Sequence, residues 1–367
     1  MSSSRKSWKR ALLAAGAAGI VVAPLVSGPA QADAAVAGTA TLEVLATGLK
    51  NPRDITALND GTLLVAESGE GLVGCAAGVQ CAGATGSIYK VKGTSKSRVV
   101  TGLSSVAAGP AAAGAPVIAA GPARVVPDPQ GGYLVLSSFG GNRTTADRDA
   151  LGANANQLGK LFRTRDGKVL GDLVDHETRL NPDAGDLNAN PWGFVRNGSS
   201  YLITDAAANT VVRAASDGTT TTAHILPKNQ LSNTTAAESV PTAIIKDWDG
   251  TLYVADMSGG NPGASRIWKI EPGGQPQVFV TGLTNVVDLD FDWKGDLLAL
   301  TYSKTTLAGP PSAGALMEIN QFTKAVKEIP TGDQLKQPTG LAVDVWGDVY
   351  VTNNTVGTGG QLVKVKY

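Results

Sequence analysis

The chain has 367 residues, in which 31 Lys and Arg are balanced by 31 Asp and Glu, with only two histidines. Balanced charge removes the field that would draw the protein to nucleic acid or to an anionic membrane, and leaves a small molecule, a glycan or an extracellular protein as the expected partner of a monomer. This length suits one large β domain or two average ones, so internal repeats must decide the domain count.

Residues 1–32 have the order of a secretory signal peptide. Arg5, Lys6, Lys9 and Arg10 precede an apolar run over 11–26, and Ala30-Gln31-Ala32 follows. The run contains Pro24 and is shorter than the roughly 20 residues that span a bilayer. Cleavage after Ala32, release as a secreted protein and no stable membrane insertion are therefore expected. In an oxidising compartment Cys75 and Cys81, close together in a Gly/Ala-rich stretch, are expected to form a disulfide that staples one loop.

From residue 51 onward one unit recurs six times: a turn that often contains proline, an apolar strand, a Gly-centred turn, a second strand ending in a polar residue, a variable loop and a third strand. It runs from Asn51-Pro52-Arg53 through Leu63-Leu64-Val65-Ala66-Glu67, then from Gly121-Pro122-Ala123-Arg124 through Tyr133-Leu134-Val135-Leu136-Ser137. Asn190-Pro191-Trp192-Gly193 with Tyr201-Leu202-Ile203-Thr204-Asp205, and Val240-Pro241-Thr242 with Leu252-Tyr253-Val254-Ala255-Asp256, are the third and fourth copies. The fifth lacks the proline (Asn285-Val286-Val287-Asp288), and the sixth returns to form with Gln337-Pro338-Thr339-Gly340 and Val349-Tyr350-Val351-Thr352-Asn353.

Such units predict an all-β fold, a six-bladed β-propeller forming a single domain over residues 33–367. An outer strand is legible at 98–103 and at 277–283, and the same phrase stands at 42–49, before the first repeat. The sixth repeat reaches the chain end at its third strand, so the N-terminal segment is expected to supply its outer strand and close the ring.

Insertions at 68–86, 139–158, 172–189, 227–239, 257–264 and 303–312 fall on one face, where binding residues are usually carried. Position in the repeat nominates Arg53, Arg124, Asn142, Arg143, Asn190, Trp192, Thr242 and Asn354 as ligand-binding residues. Arg53 and Arg124 appear at matching places and could hold a carboxylate through bidentate bonds, or pair with Glu67. Glu67, Asp205, Asp256 and Asn353 end second strands in four blades. They could converge as oxygen ligands for calcium, or each could bond backbone groups at its own strand end. Trp192 follows a proline at the rim, while Trp248, Trp293 and Trp346 lie beside Gly turns of the other face and read as blade packing. His176 reads as an exposed loop residue between Asp175 and Glu177, His224 lies near an outer strand, and no nucleophile elbow is present. The stretch 106–120 reads as a flexible surface loop.

Leu45-Ala46-Thr47-Gly48-Leu49 with Asn51-Pro52-Arg53, Leu64 to Gly69, the Cys75/Cys81 loop leading to Thr85-Gly86-Ser87-Ile88, Leu158-Gly159-Lys160-Leu161 and Asn190-Pro191-Trp192-Gly193 together resemble the ScyD/ScyE family of exported bacterial proteins. The resemblance covers nearly the whole chain after the leader. It implies a six-bladed propeller of the NHL and SMP-30 type. The loop-rich face and the lack of a recognisable catalytic set point to ligand binding without catalysis, while the resemblance implies, as alternatives, calcium-assisted hydrolase or lactonase chemistry at the channel mouth or an accessory role in secondary metabolism.

Overall fold

Short apolar runs bounded by Gly turns become the second strands of six sheets. In a computed structural model, which describes residues 39–140, 143–307 and 312–367, these strands are Leu63–Glu67, Tyr133–Ser137, Ser200–Asp205, Leu252–Asp256, Leu297–Thr301 and Val349–Asn353. Their residues are almost entirely buried. Each sheet packs on both faces, and a strand buried on both faces reads as a continuous apolar run rather than an alternation.

The inner strands are Pro52–Ala57, Pro122–Pro127, Pro191–Asn197, Pro241–Lys246, Val286–Phe291 and Leu341–Val343. They touch one another in cyclic order, the last against the first, and so enclose the central channel. Third strands follow, and the outer strands are Ser95–Ala108, Val169–Asp172, Thr220–Ile225, Gln277–Leu283, Val326–Ile329 and, for blade 6, Thr41–Leu49. That last strand pairs antiparallel with Gly360–Lys366, Thr41 opposite Lys366 and Leu49 opposite Gly360, so the ring closes as the repeat count anticipates.

There is no single core. Six apolar clusters fill the six seams between neighbouring blades. Hydroxyls stitch the seams near the channel. Ser68 Oγ donates to the Pro122 carbonyl of blade 2, Thr204 Oγ1 to the Thr242 carbonyl of blade 4, Thr242 Oγ1 to the Val286 carbonyl of blade 5, and Thr339 and Thr352 to Pro52 and Arg53 of blade 1. At Gly340 the blades come so close that a Cβ would stand 2.2 Å from the Arg53 carbonyl oxygen, which excludes any side chain.

Two departures from the sequence reading shape the upper face. The stretch 68–120 is not a pair of loops: Gln80–Lys92 and Ser95–Ala108 form one long hairpin, and Ala119–Ala120 adds a fifth strand to blade 1. The Cys75–Cys81 disulfide is present at the far end of that extension, where Cys81 pairs with Ala107. Two other insertions carry short helices, α1 (Thr145–Ala150) and α2 (Leu173–Leu180). Thr144 and Asp147 make a reciprocal capping box that starts α1, and Asp172 caps α2. On α2 the residues Leu173, Val174, His176 and Glu177 turn inward at helical spacing.

On the opposite face the indoles of Trp248, Trp293 and Trp346 are exposed by 93%, 76% and 65%, not packed within their blades. Trp293 instead leans on the Gly347 turn of blade 6, and Trp346 on the Gly61 turn of blade 1, each reaching one blade onward. The turns that carry these indoles are too short to fold back over them.

Because Leu49 is fully buried in the blade 6/blade 1 seam and Val44 on the same strand is half exposed, the closing strand separates packing from pairing. Leu49→Ala is expected to cost about 2–5 kcal/mol in a denaturant titration, and Val44→Ala less than about 0.5 kcal/mol.

Candidate functional site

Five of the six inner strands carry a bulge just after the first residue, between Pro52 and Ile55, Pro122 and Arg124, Pro191 and Phe194, Pro241 and Ile244, and Val286 and Asp288. A bulge re-aims the side chain it carries. Here it brings Arg53, Trp192 and Val287 to the channel mouth, where they line a cavity of about 610 Å³ on the insertion-bearing face. Blade 1's extension adds Gln80, Val106 and Ile118, blade 2 gives Ser138, Phe139 and Arg143, blade 3 Asn190, blade 4 Met257, blade 5 Tyr302 and Leu307, and blade 6 Gln337 and Thr339. All six blades thus meet in one site.

Its walls are mainly apolar, and two guanidinium groups break them. Arg53 is held by Ser68 Oγ, to which its Nε donates at 3.2 Å, and by the Ala119 carbonyl at 2.7 Å, and it stacks over the Trp192 ring at 5.2 Å. No carboxylate pairs with it among the described residues, and burial lowers its pKa to about 10, so it remains charged at neutral pH. Arg143 lies over the Phe139 ring at 4.9 Å, and its Nη1 is buried without a hydrogen-bond partner. Burial lowers its pKa as well, against the weaker pull of Asp147.

Of the nominated ligand-binding residues, then, Arg53, Arg143, Asn190 and Trp192 come together. Asn142 lies outside the described residues. Thr242 is buried in its bond to blade 5, and Asn354, in the left-handed region at φ 51°, gives its N–H to the Lys336 carbonyl and does not line the cavity. Arg124 does not match Arg53. Pro52 and Pro122 are opposite the ends of their second strands, so the match to Arg53 is Ala123, and Arg124 stands level with Asp54. It pairs with Asp54 one step deeper in the channel. Glu67, the alternative partner considered for Arg53, is taken by Arg98 at 2.7 Å.

The four residues nominated as calcium ligands share a different task. Each accepts the N–H of the residue that leads into its own blade: Lys50 to Glu67, Asn190 to Asp205, Val240 to Asp256, and Lys336 to Asn353. Glu67 also accepts from Ser87 and Arg98, and Asp256 from Ser239, Ser258, Arg266 and Trp268. These bonds lie within four separate blades, and Glu67, Asp205 and Asp256 are not brought together as a group of carboxylates. The group of three acids whose oxygens approach within 4.8 Å among the described residues is instead Asp292, Asp296 and Glu318, at the opposite face, where Lys294 neutralises it.

Below the cavity the channel holds a cluster the sequence reading passes over. Asp54, Asp288 and Asp290 from blades 1 and 5 surround Arg124 from blade 2. Burial pushes Asp288 well above the usual carboxylate range, and the neighbouring Asp54 adds to this while Arg124 opposes it. Burial pushes Asp290 to about 6, against hydrogen bonds from Val343 and Phe291. His176 is buried rather than exposed; its two ring nitrogens meet Thr220 and Thr222 at 3.0 and 2.9 Å and fix α2 to blade 3.

No family model matches the sequence, and no curated protein matches it. Among solved structures the chain is similar to a catalytically inactive virginiamycin B lyase from Staphylococcus aureus, at 14% identity over 89% of this chain and 99% of that one, with a TM-score of 0.50. It is also similar to a structural-genomics protein of unknown function from Bacteroides thetaiotaomicron, at 11% identity over 89% of this chain and 72% of that one, with a TM-score of 0.52. These likenesses show the fold.

Two measurements follow from the channel and rim. Asp256→Ala strands Arg266 in a buried site, and is expected to cost about 3–5 kcal/mol in a denaturant titration. For Asp290 the folded-state value is raised, so its contribution to stability is full below the unfolded value near 3.9 and is lost as pH rises through about 6. Asp290→Asn is expected to flatten the fall in thermal midpoint between pH 4 and pH 7 and to raise the midpoint at pH 8. The chain thus has a six-bladed β-propeller fold whose channel mouth, on the insertion-bearing face, is a formed cavity.

Proposed function

We propose that the protein is an exported binding propeller that takes an apolar small molecule bearing an anionic or carbonyl group in the channel-mouth cavity. The observation that carries this reading is the pairing of apolar walls with Arg53 and Arg143, two guanidinium groups at the cavity that form no salt bridge among the described residues. A cavity of this size, largely apolar with a few convergent polar groups, is the usual form of a small-molecule site. A guanidinium in such surroundings recognises a planar anion through paired N–H donors. Among the described residues the cavity is lined by no histidine and no carboxylate, which favours binding over acid–base turnover.

Export is supported by the leader-like residues 1–32, which lie outside the described residues, and by the Cys75–Cys81 disulfide. Among the described residues no helix is long and apolar enough to cross a membrane. The motifs shared with the ScyD/ScyE family support placing the chain there.

A panel of aromatic and aliphatic carboxylates, their neutral amides and unrelated sugars, screened by thermal shift, tests the reading. Carboxylates are expected to raise the midpoint most. Trp192→Ala should weaken every ligand, and Arg53→Gln should remove the preference for the acid over its amide, at about 1–3 kcal/mol. A protein that prefers sugars, or binds acid and amide alike, refutes the anionic reading.

A further inference from the structure

The face opposite the cavity carries an arc of aromatic side chains that the fold does not cover. In blades 4, 5 and 6 the turn between the first two strands holds Trp248, Trp293 and Trp346 in solvent, and Phe322 and Tyr367 are exposed at the same end of blades 5 and 6. The corresponding turns of blades 1 to 3, residues 58–62, 128–132 and 198–199, contain no aromatic residue.

The rings stand on fixed supports. Asp247 Oδ1 accepts the Trp248 N–H at 2.7 Å, and Asp344 Oδ1 accepts the N–H groups of Trp346 and Asp348 at 3.0 and 2.9 Å, so the acids close these turns on themselves. Two rings also rest on the next blade: a Cβ at Gly347 would stand 3.2 Å from Trp293 Cδ1, and one at Gly61 3.7 Å from Trp346 Cη2. Among the described residues neither ring is stacked on another aromatic ring, and most of each stays open. Rings held in place before a ligand arrives lose less freedom when it binds.

The charges around the arc decide what it fits. Its lysines are engaged: Lys269 pairs with Glu271, Lys294 with Glu318 and Lys364 with Asp348, and Lys324 lies over the Phe279 ring at 5.3 Å. Little positive charge is therefore left to attract phosphate or an anionic lipid surface. Asp249, exposed beside Trp248, would be stranded under a dry protein partner, but it can exchange its water for a hydroxyl. Open rings set among hydrated acceptors suit a ligand whose own apolar faces alternate with hydroxyls. A pyranose with equatorial substituents is such a ligand, since its C–H face stacks on an indole while its hydroxyls project around the edge. We propose that the arc on blades 4 to 6 binds a neutral, β-linked polysaccharide, with Trp293 and Trp346 as its main stacking platforms. This surface is separate from the channel mouth and does not rest on what the cavity holds.

Retention on insoluble cellulose and chitin, with calorimetric titration of cellohexaose and chitohexaose, tests the assignment. Binding to at least one of these glycans is expected. Trp293→Ala and Trp346→Ala should each weaken it about tenfold, and the double variant should abolish it with a thermal midpoint close to the parent's, because both side chains are exposed. Trp192→Ala, in the cavity on the other face, should bind the glycan as the parent does, which separates this surface from the anion site. The proposal fails if the parent binds none of the four glycans, if the double variant binds like the parent, or if Trp192→Ala removes the binding. A parent that binds no glycan but sediments as a dimer, or floats with phosphatidylcholine vesicles, and loses that property in the double variant would assign the arc to a second copy or to a lipid surface and overturn the proposal.

Discussion

The channel mouth depends on one bond made four times. At the end of a second strand an acid or amide side chain accepts the N–H of the residue that opens the same blade, as in Glu67 with Lys50 and Asp256 with Val240. Asp and Asn favour such local bonds, and Glu67 reaches the same N–H with a longer arm. The bond sets the path of the linker between blades. In blades 1 and 3 those linkers lead directly into the bulges that aim Arg53 and Trp192 inward. In blades 1 and 5 a left-handed asparagine, Asn51 or Asn285, braces the linker further by donating to carbonyls past the end of the second strand.

This division of labour explains why the rim acids and the cavity cations do not neutralise one another. The acids face their own backbone and, at Glu67 and Asp256, their own arginines, Arg98 and Arg266. Arg53 and Arg143 are anchored by carbonyl, hydroxyl and aromatic contacts instead. Their positive charge is therefore left to the cavity. Deeper in the channel the balance reverses, with three aspartates around Arg124, so an anion entering from the upper face meets attraction at the mouth and repulsion below it.

Much of the architecture was legible because its signals are local. Gly turns and apolar runs mark second strands wherever they occur, and the phrase at 42–49 identified the closing strand by its likeness to 277–283. The rim residues Arg53, Asn190 and Trp192 followed from their places beside prolines. What escaped depends on contacts between distant residues or on register. The blade 1 extension exists because residues near 80 pair with residues near 108, which no local periodicity announces. Arg124 was misplaced because its repeat has one residue more between proline and arginine, and one position in a strand changes the level in the channel. Trp248, Trp293 and Trp346 share a place with packing residues, yet short turns leave them in solvent. Glu177 stands beside the more conspicuous His176, and only the fold shows that it is buried.

The strand Thr41–Leu49 also sets the order in which the molecule can be completed. Blades 1 to 5 each pair strands that are near in sequence, whereas the last blade joins segments from both ends, with contacts such as the Gly357 N–H to Asn51 Oδ1 spanning 306 residues. The entropy of so large a loop must be spent before those contacts repay it. A chain that emerges amino end first therefore keeps its opening strand unpaired until the closing one appears, and the annulus stays unsealed for the whole of that interval. Glu43 and Lys366, which meet across the finished seam at 2.7 Å, give that waiting edge a charge that discourages pairing with the wrong strand.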